Sequence, residues 1–153
     1  MTASIADLLL WLFVVDLGIA TGAGLYEARV VVPLWGSAPP RSVLVPDSGR
    51  RFWGFTTTVP LTLLAVANLF AALRAPDPQH DWWLAAVVIA LVERALTFSY
   101  FIPTLLRLQR SGESSGADAG ARLARWARVN LLRNALTIAA WLIALRVTTL
   151  PRG

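Results

Sequence analysis

The feature that most constrains this chain is a long apolar run with two charges at its centre. The stretch from Ala85 to Ile102 is apolar apart from Glu93, Arg94 and a few hydroxyl-bearing side chains. A run of this length and composition predicts a membrane-spanning helix. An ionised side chain at the centre of such a helix costs roughly 2.5 to 3.5 kcal/mol, so these residues persist mainly where they meet partners inside a protein. Because sequence neighbours point about 100° apart on a helix, we expect Glu93 and Arg94 to find partners on different helices.

Other apolar runs predict three more spans, and the composition agrees with them. The chain has 153 residues and is 56% hydrophobic, which is more apolar than an ordinary soluble domain. The predicted spans are about 5–32, 52–73, 82–103 and 126–147, with flexible loops at 36–51 and 111–121. We therefore predict a single all-α domain over 1–153, an integral membrane, antiparallel four-helix bundle.

The basic residues predict an orientation in the membrane. All 14 are arginines, and most lie in or beside the two long loops. By the positive-inside rule, the long loops are cytoplasmic and both termini are external, in an inner or plasma membrane. Lipid headgroups are the expected partners of these arginines, because the sequence has no basic stripe or motif typical of nucleic-acid binding.

Polar side chains inside the spans are expected to converge. Asp16 and Glu93 each lie about eleven residues into a span, which at about 1.5 Å per residue predicts a depth of roughly 16 Å, near the midplane. Asn130, Arg133, Asn134 and Thr137 follow the spacing of one helix face and predict an inward polar stripe. The candidate catalytic residues are Glu27, Glu93, Tyr100, Asn130 and Arg133. Their candidate charge or substrate-binding partners are Asp16, Tyr26, Arg29, Arg94, Asn134 and Trp126.

Glycine and proline indicate where helices pack and where they end. Gly18 and Gly22 have the GxxxG spacing that allows close approach of another helix. This spacing, with the large lipid-facing surface of four helices, makes a homo-oligomer plausible. Pro33 is expected to end the first helix, Pro60 to lie in the first turns of the second, and Pro103 to lie at the end of the third.

The residue types limit the chemistry that the chain can perform. It has no cysteine, and its one histidine, His80, lies in a predicted turn away from most of the polar residues. We therefore predict neither a metal site nor a cofactor, since haem and most transition metals use imidazole or thiolate ligands. A serine or cysteine triad would lack its base. Carboxylate acid/base chemistry assisted by Tyr, Asn and Arg remains.

Two segments resemble a known membrane family. TGAGLYEARVVVPLW, from Thr21 to Trp35, closes the first span, and RWARVNLLR, from Arg125 to Arg133, opens the fourth. They resemble the small four-helix family that includes the anthrone oxygenases. In that family a glycine-containing first helix ends in an apolar segment closed by proline, as at Pro33, and the last helix opens with a Trp…Asn…Arg pattern, which Trp126, Asn130 and Arg133 match. The resemblance implies a cofactor-independent enzyme acting on an apolar, polyketide-, aromatic- or terpenoid-like molecule.

The sequence leaves several functions open. Oxygenation is the reaction that the resemblance implies, whereas isomerisation, epoxide opening and cyclisation need the same placed proton donor or acceptor in a dry pocket. The same charges also suit ion pairs that fix helix register in a structural or assembly subunit, or the site of a small transporter. A cavity beside the carboxylates would favour an enzyme, and sealed pairs without one would favour the structural role.

Overall fold

The computed structural model describes residues 4–35, 50–110 and 117–151, and these contain helices and turns without a β-strand. Four helices are long and apolar enough to cross a membrane: Ile5–Val31, Trp53–Ala72, Gln79–Thr104 and Ala124–Thr148. The chain is therefore an all-α membrane protein, as predicted. The remaining parts of the two predicted loops, 36–49 and 111–116, lie outside the described residues.

Three of the four helices contain a π-helical turn. The first helix comprises Ile5–Tyr26, the π turn Glu27–Val31 and Val32–Trp35. The second comprises Arg50–Phe52, the π turn Trp53–Thr58 and Val59–Ala72. The third comprises Gln79–Leu96, the π turn Thr97–Phe101 and Ile102–Arg110. The fourth, Ala117–Thr148, is α-helical throughout.

Each π turn is explained by a proline two residues beyond its end. Proline has no N–H to donate, and its ring clashes with the carbonyl four residues earlier. Widening the preceding turn by one residue relieves this clash within a continuous helix. In each helix the residue before the proline accordingly donates its N–H to the carbonyl five residues back: Val32 to Glu27, Val59 to Gly54 and Ile102 to Thr97.

Two of these prolines lie within helices that they were expected to end. The first helix continues beyond Pro33 to Trp35, and the third continues beyond Pro103 to Arg110. The fourth helix begins at Ala117, inside the stretch predicted as a flexible linker. All three π turns lie towards the ends of the helices that carry the long connections.

The interior formed by the four helices has two chemically different halves. Each helix packs against two others, the first and third both contacting the second and fourth. The half nearer the termini is apolar, and alanines there allow close approach of the helices. Its fully buried members are Phe13, Leu61, Ala65, Ala72, Ala86, Val87, Ala140, Ala144 and Val147. The half nearer the long connections contains most of the buried polar side chains.

Asn68 joins three helices inside the apolar half. Its side chain is fully buried and donates to the backbone carbonyl of Leu9 on the first helix at 3.0 Å. Its oxygen accepts a hydrogen bond from Nε1 of Trp83 on the third helix, also at 3.0 Å. Every polar atom of the Asn68 amide that faces another helix is therefore satisfied, as a buried amide requires.

Replacing Asn68 with leucine should destabilise the fold by about 1 to 2 kcal/mol, because the buried indole N–H of Trp83 loses its acceptor. Unfolding in mixed detergent micelles measures this loss. Ser99→Ala is the matched control, since the exposed Ser99 hydroxyl donates only to its own helix, at the carbonyl of Ala95. Equal stability of the two variants would contradict the assigned role of Asn68.

Candidate intramembrane site

Arg133 is the residue that connects the polar half of the interior. It belongs to the fourth helix and lies within the predicted stripe. Its Nη2 lies 3.1 Å from Oε2 of Glu27 on the first helix. Its guanidinium carbon lies 4.8 Å from the ring centroid of Phe101 on the third helix and 5.6 Å from that of Trp53 on the second. One side chain therefore contacts all three other helices, through an ion pair and two cation–π contacts.

The second ion pair corrects an expectation from the sequence. Glu93 and Arg94 were expected to find partners on different helices, yet they pair with each other. The arginine side chain is long enough to fold back along the helix surface and bridge the angle between neighbouring positions. Thr97, one turn further on, donates its hydroxyl to Oε1 of Glu93 at 3.0 Å. The carboxylate of Glu93 is thus held by two groups of its own helix.

The two ion pairs form one electrostatic cluster. The charges of both Glu93 and Arg94 act on the guanidinium of Arg133. The convergence of Glu27, Glu93, Arg94 and Arg133 that the sequence predicted is therefore present in the structure. The side chains of Glu27 and Arg133 are only 14% and 12% exposed, so their attraction is weakly screened by solvent.

Asn130 and Trp126 extend the cluster along the fourth helix. Asn130 is 1% exposed and its amide faces the Glu27 carboxylate. Neither polar atom of this amide has a hydrogen-bond partner of standard geometry within the described residues. Trp126 is also buried, and its ring packs edge-on against Phe101 with centroids 5.7 Å apart. The Trp…Asn…Arg pattern therefore lies on one inward face.

A groove lies between the first and fourth helices beside this cluster. Its volume is about 150 Å³, and it is open on one side to the outer surface of the helices. Its lining is apolar except for Asn130 and an exposed arginine: Ala28, Val32, Ala127, Arg128, Asn130 and Leu131. Asn130 thus lies between the groove and the carboxylate of Glu27, which its amide faces.

The π turn of the third helix changes which aromatic residue faces inward. At the spacing of an ordinary α-helix, Glu93, Thr97 and the candidate catalytic residue Tyr100 would share one face. Because the π turn inserts one residue, Phe101 takes the inward position and is 3% exposed. Tyr100 is half-buried and packs edge-on against Phe101, with centroids 5.2 Å apart.

Two other predicted partners lie away from the cluster. The side chain of Tyr26 is 62% exposed, and Arg29 is also exposed on the outer surface. Tyr26 comes directly before Glu27 and Arg29 comes two residues after it, so these side chains point to other sides of the first helix. Asp16 is buried, as expected, and lies within the attraction of Arg94.

The small residues of the first helix pack against the fourth helix, although not at the predicted pair. Asn134 donates its amide to the carbonyl of Gly24 at 3.1 Å. A Cβ at Gly24 would lie 2.6 Å from the Asn134 oxygen, and one at Gly18 would lie 3.2 Å from Nε1 of Trp141. A Cβ at Gly22 would meet nothing within 4 Å. Gly18 and Gly24, rather than Gly18 and Gly22, thus allow the close approach.

Sequence reasoning missed Phe101 and Trp53 as parts of the site. Neither residue is among the candidate catalytic or partner residues named from the sequence. Pro60 and Pro103 were the available signals, because a proline inside a spanning helix predicts a widened turn before it. Allowing for one inserted residue would have moved the inward face from Tyr100 to Phe101.

The site can perform a limited set of chemical tasks. Glu27 can accept or donate a proton, and Arg133 can stabilise a negative charge that forms nearby. The Asn130 amide can orient an oxygen or nitrogen of a bound molecule. The aromatic rings beside Arg133 keep water away from it, which strengthens its electrostatic effect.

Comparison of the chain with protein-family models, with curated proteins and with solved structures gives no match. The resemblance to the anthrone oxygenase family stays an expectation drawn from the two motifs.

Gly24→Ala should destabilise the protein by about 1 to 3 kcal/mol, because the new methyl group displaces the Asn134 amide from its hydrogen bond. Gly22→Ala is the matched control and should change the stability by less than about 0.5 kcal/mol. In an Asn134→Ala background the cost of Gly24→Ala should disappear, which a double-mutant cycle of unfolding free energies measures. An unchanged cost in that background would show that the contact is not its cause.

Proposed function

We propose that this chain is a membrane-embedded, cofactor-independent enzyme that acts by acid/base chemistry on a hydrophobic small molecule. The observation that carries the proposal is the groove between the first and fourth helices, because Asn130 lines this groove and its amide faces Glu27 of the Glu27–Arg133 pair. An apolar molecule dissolved in the bilayer can enter such a groove from the side. The groove volume is that of a small aromatic ring, so it suits one end of a larger molecule.

The proposed chemistry assigns a role to each polar group. Glu27 takes a proton from an acidic C–H next to a carbonyl group of the substrate; the C–H electron pair forms a carbon–carbon double bond as the carbonyl double bond opens, which leaves the negative charge on the carbonyl oxygen. Asn130 donates a hydrogen bond to that oxygen, and Arg133 stabilises its negative charge. Return of the proton from Glu27 to another atom completes an isomerisation. The same anion is the starting point for oxygenation by molecular oxygen, which the family resemblance favours, or for cyclisation or epoxide opening.

Glu93, Arg94 and Tyr100 have supporting roles in this scheme. The Glu93–Arg94 pair lies close enough for its charges to act on Arg133. Tyr100 packs against Phe101, one of the two rings beside Arg133. We assign these residues to holding Arg133 in position and Glu27 to the proton transfer itself.

The proposal includes an arrangement in the membrane. The four helices form an antiparallel bundle in an inner or plasma membrane, with the long loops cytoplasmic and both termini external. Two contacts, each between the first half of one span and the end region of another, support antiparallel packing. Gln79 at the start of the third helix donates to the carbonyl of Leu150 beyond the end of the fourth at 3.4 Å, and Glu27 near the end of the first helix pairs with Arg133. Lipids, and in a homo-oligomer a second copy, cover the apolar outer surface.

A structural or assembly subunit is the second candidate. Two ion pairs, Glu27–Arg133 and Glu93–Arg94, favour this candidate. Charges that neutralise each other are sufficient to hold the helices in register without any catalytic role. A small transporter is a weaker alternative, since four short helices would need to oligomerise to form an alternating-access path.

Glu27→Gln should reduce turnover of apolar aromatic or polyketide-like substrates by roughly 100-fold or more while the protein stays folded, because the amide cannot take the proton. Arg133→Met should lose activity and some stability, and Glu93→Gln should reduce activity less. Ser99→Ala, whose hydroxyl is exposed and bonds its own helix, is the control for unchanged activity. Folded Glu27→Gln protein with full activity would remove Glu27 from the mechanism. Collapse of every charge variant would favour the structural subunit, and turnover unaffected by removal of oxygen would favour an isomerase or cyclase.

The orientation predicts the labelling of introduced cysteines, which is convenient because the chain has none of its own. In intact cells a membrane-impermeant maleimide should label Ser4→Cys at the amino-terminal end. It should label Ser114→Cys, in the predicted loop before the fourth helix, only after the membrane is opened. The reverse pattern would invert the proposed topology.

A further inference from the structure

A second polar group lies deeper in the membrane than the groove, and the proposed chemistry does not use it. Asp16 is 7% exposed, and its Oδ2 has no hydrogen-bond partner within residues 4–35, 50–110 and 117–151. Arg94 is also 7% exposed, and its Nη1 likewise has no partner there. The charge of Arg94 attracts Asp16, although the guanidinium is within ion-pair distance only of Glu93.

A donor and an acceptor that attract each other across more than ion-pair distance suit a bridging water molecule. Buried water typically satisfies polar groups that lack other partners and makes two to four hydrogen bonds. Water can accept from Nη1 of Arg94 and donate to, or accept from, the Asp16 carboxyl group. Two unsatisfied polar atoms at the same depth are thereby satisfied together.

The charges around Asp16 do not balance. Among the mostly buried ionisable side chains of the polar cluster, the three carboxyl groups of Asp16, Glu27 and Glu93 stand against the two guanidinium groups of Arg94 and Arg133. The nearby arginines Arg29, Arg125 and Arg128 are exposed on the outer surface. From the third helix the charge of Arg94 acts on Asp16, and Glu93 is paired with Arg94. Arg133 is the charged residue that the fourth helix contributes to the cluster. The second span, Trp53–Ala72, has no ionisable residue. With all five groups ionised the interior would carry one net negative charge, which is costly in a membrane.

We infer that Asp16 is a proton-binding site in the middle of the membrane, joined to Arg94 by a bound water molecule. A proton on Asp16 brings the net charge of the five groups to zero. A metal cation fits less well, because Arg94 would repel it and hard cations take about six or more oxygen ligands. The described residues contain no group of three histidine, cysteine or acidic side chains that could hold a metal.

The surroundings of Asp16 differ on its two sides. Towards the termini, Asp16 is followed by the packed apolar half, including Phe13, Leu61 and Ala65. Towards the long connections lies the polar cluster of Glu93, Arg94, Arg133 and Glu27. The proposed proton therefore enters from the side of the long connections.

Proton binding at Asp16 determines whether Asp16 competes with Glu93 for the guanidinium group of Arg94. While Asp16 is protonated, Arg94 pairs with Glu93, as the structure has it. When Asp16 ionises, it competes with Glu93 for the same guanidinium. The site is independent of the proposed enzymatic function, since it needs neither substrate nor turnover.

Infrared spectroscopy of the protein in lipid bilayers tests the inference directly. Near neutral pH the wild-type protein should show the carbonyl band of a protonated carboxylic acid, and Asp16→Asn should lose it. Asp81→Asn removes an exposed carboxyl group and should keep the band. Glu93→Gln should also lose the band, because Arg94 becomes free to pair with Asp16 and ionise it. Labelling the wild-type protein with carbon-13 aspartate should shift the band, which covers the case that Asp16→Asn does not fold.

Two results would overturn the inference. One is an acid band that is absent in the wild type near neutral pH or unchanged in Asp16→Asn. The other is a band that sodium or potassium ions abolish at constant pH, which would make a metal cation the neutralising ligand. As a second readout, the melting temperature of the wild type should fall relative to that of Asp16→Asn as the pH rises, because only the wild type gains a buried charge. Failure of the Glu27→Gln turnover test would leave these spectra unchanged, so the two proposals are tested separately.

Discussion

The polar half of this protein depends on one guanidinium group. Arg133 pairs with Glu27 of the first helix and lies over Phe101 and Trp53 of the third and second helices. A cation in hydrocarbon is tolerated only when its partners surround it, so the positions of these four residues are coupled. Three helices must approach the fourth at the same depth for the charge to be accommodated. The same requirement brings Asn130, one turn earlier on the fourth helix, against the Glu27 carboxylate.

The prolines determine the helix geometry around Arg133. Pro33, Pro60 and Pro103 each follow a π turn, and all three turns lie in the half of the interior that contains Arg133. A π turn widens the helix and leaves backbone groups less regularly paired, which is why such turns are frequent at functional sites. Here each turn also carries residues of the site: Glu27 in the first, Trp53 in the second, Thr97 and Phe101 in the third. The fourth helix, which has no proline in its described span, supplies the straight face against which the others are arranged.

Local properties of the sequence were sufficient to predict the spans and part of the site. Length and hydropathy are read along the chain, so the four spans agree with the structure to within a few residues, apart from the longer fourth helix. The stripe containing Asn130, Arg133 and Asn134 follows from ordinary helix periodicity, and it faces inward as predicted. The prediction that Tyr100 faces inward was wrong, because a π turn shifts the helix periodicity by one residue. The prediction that Glu93 and Arg94 have partners on different helices was wrong for another reason. The angle between neighbouring helix positions does not prevent a side chain as long and flexible as that of arginine from reaching its neighbour.

The division of the interior into an apolar and a polar half has an electrical consequence. Moving one elementary charge across the whole membrane is worth about 2.3 kcal/mol per 100 mV of transmembrane potential. The tightly packed alanines and Phe13 of the apolar half offer almost no polar partner to an ion, so an ion there would be desolvated. The buried charges are confined to the polar half. A chain of this kind can hold five buried ionisable groups and still oppose the passage of ions through its interior.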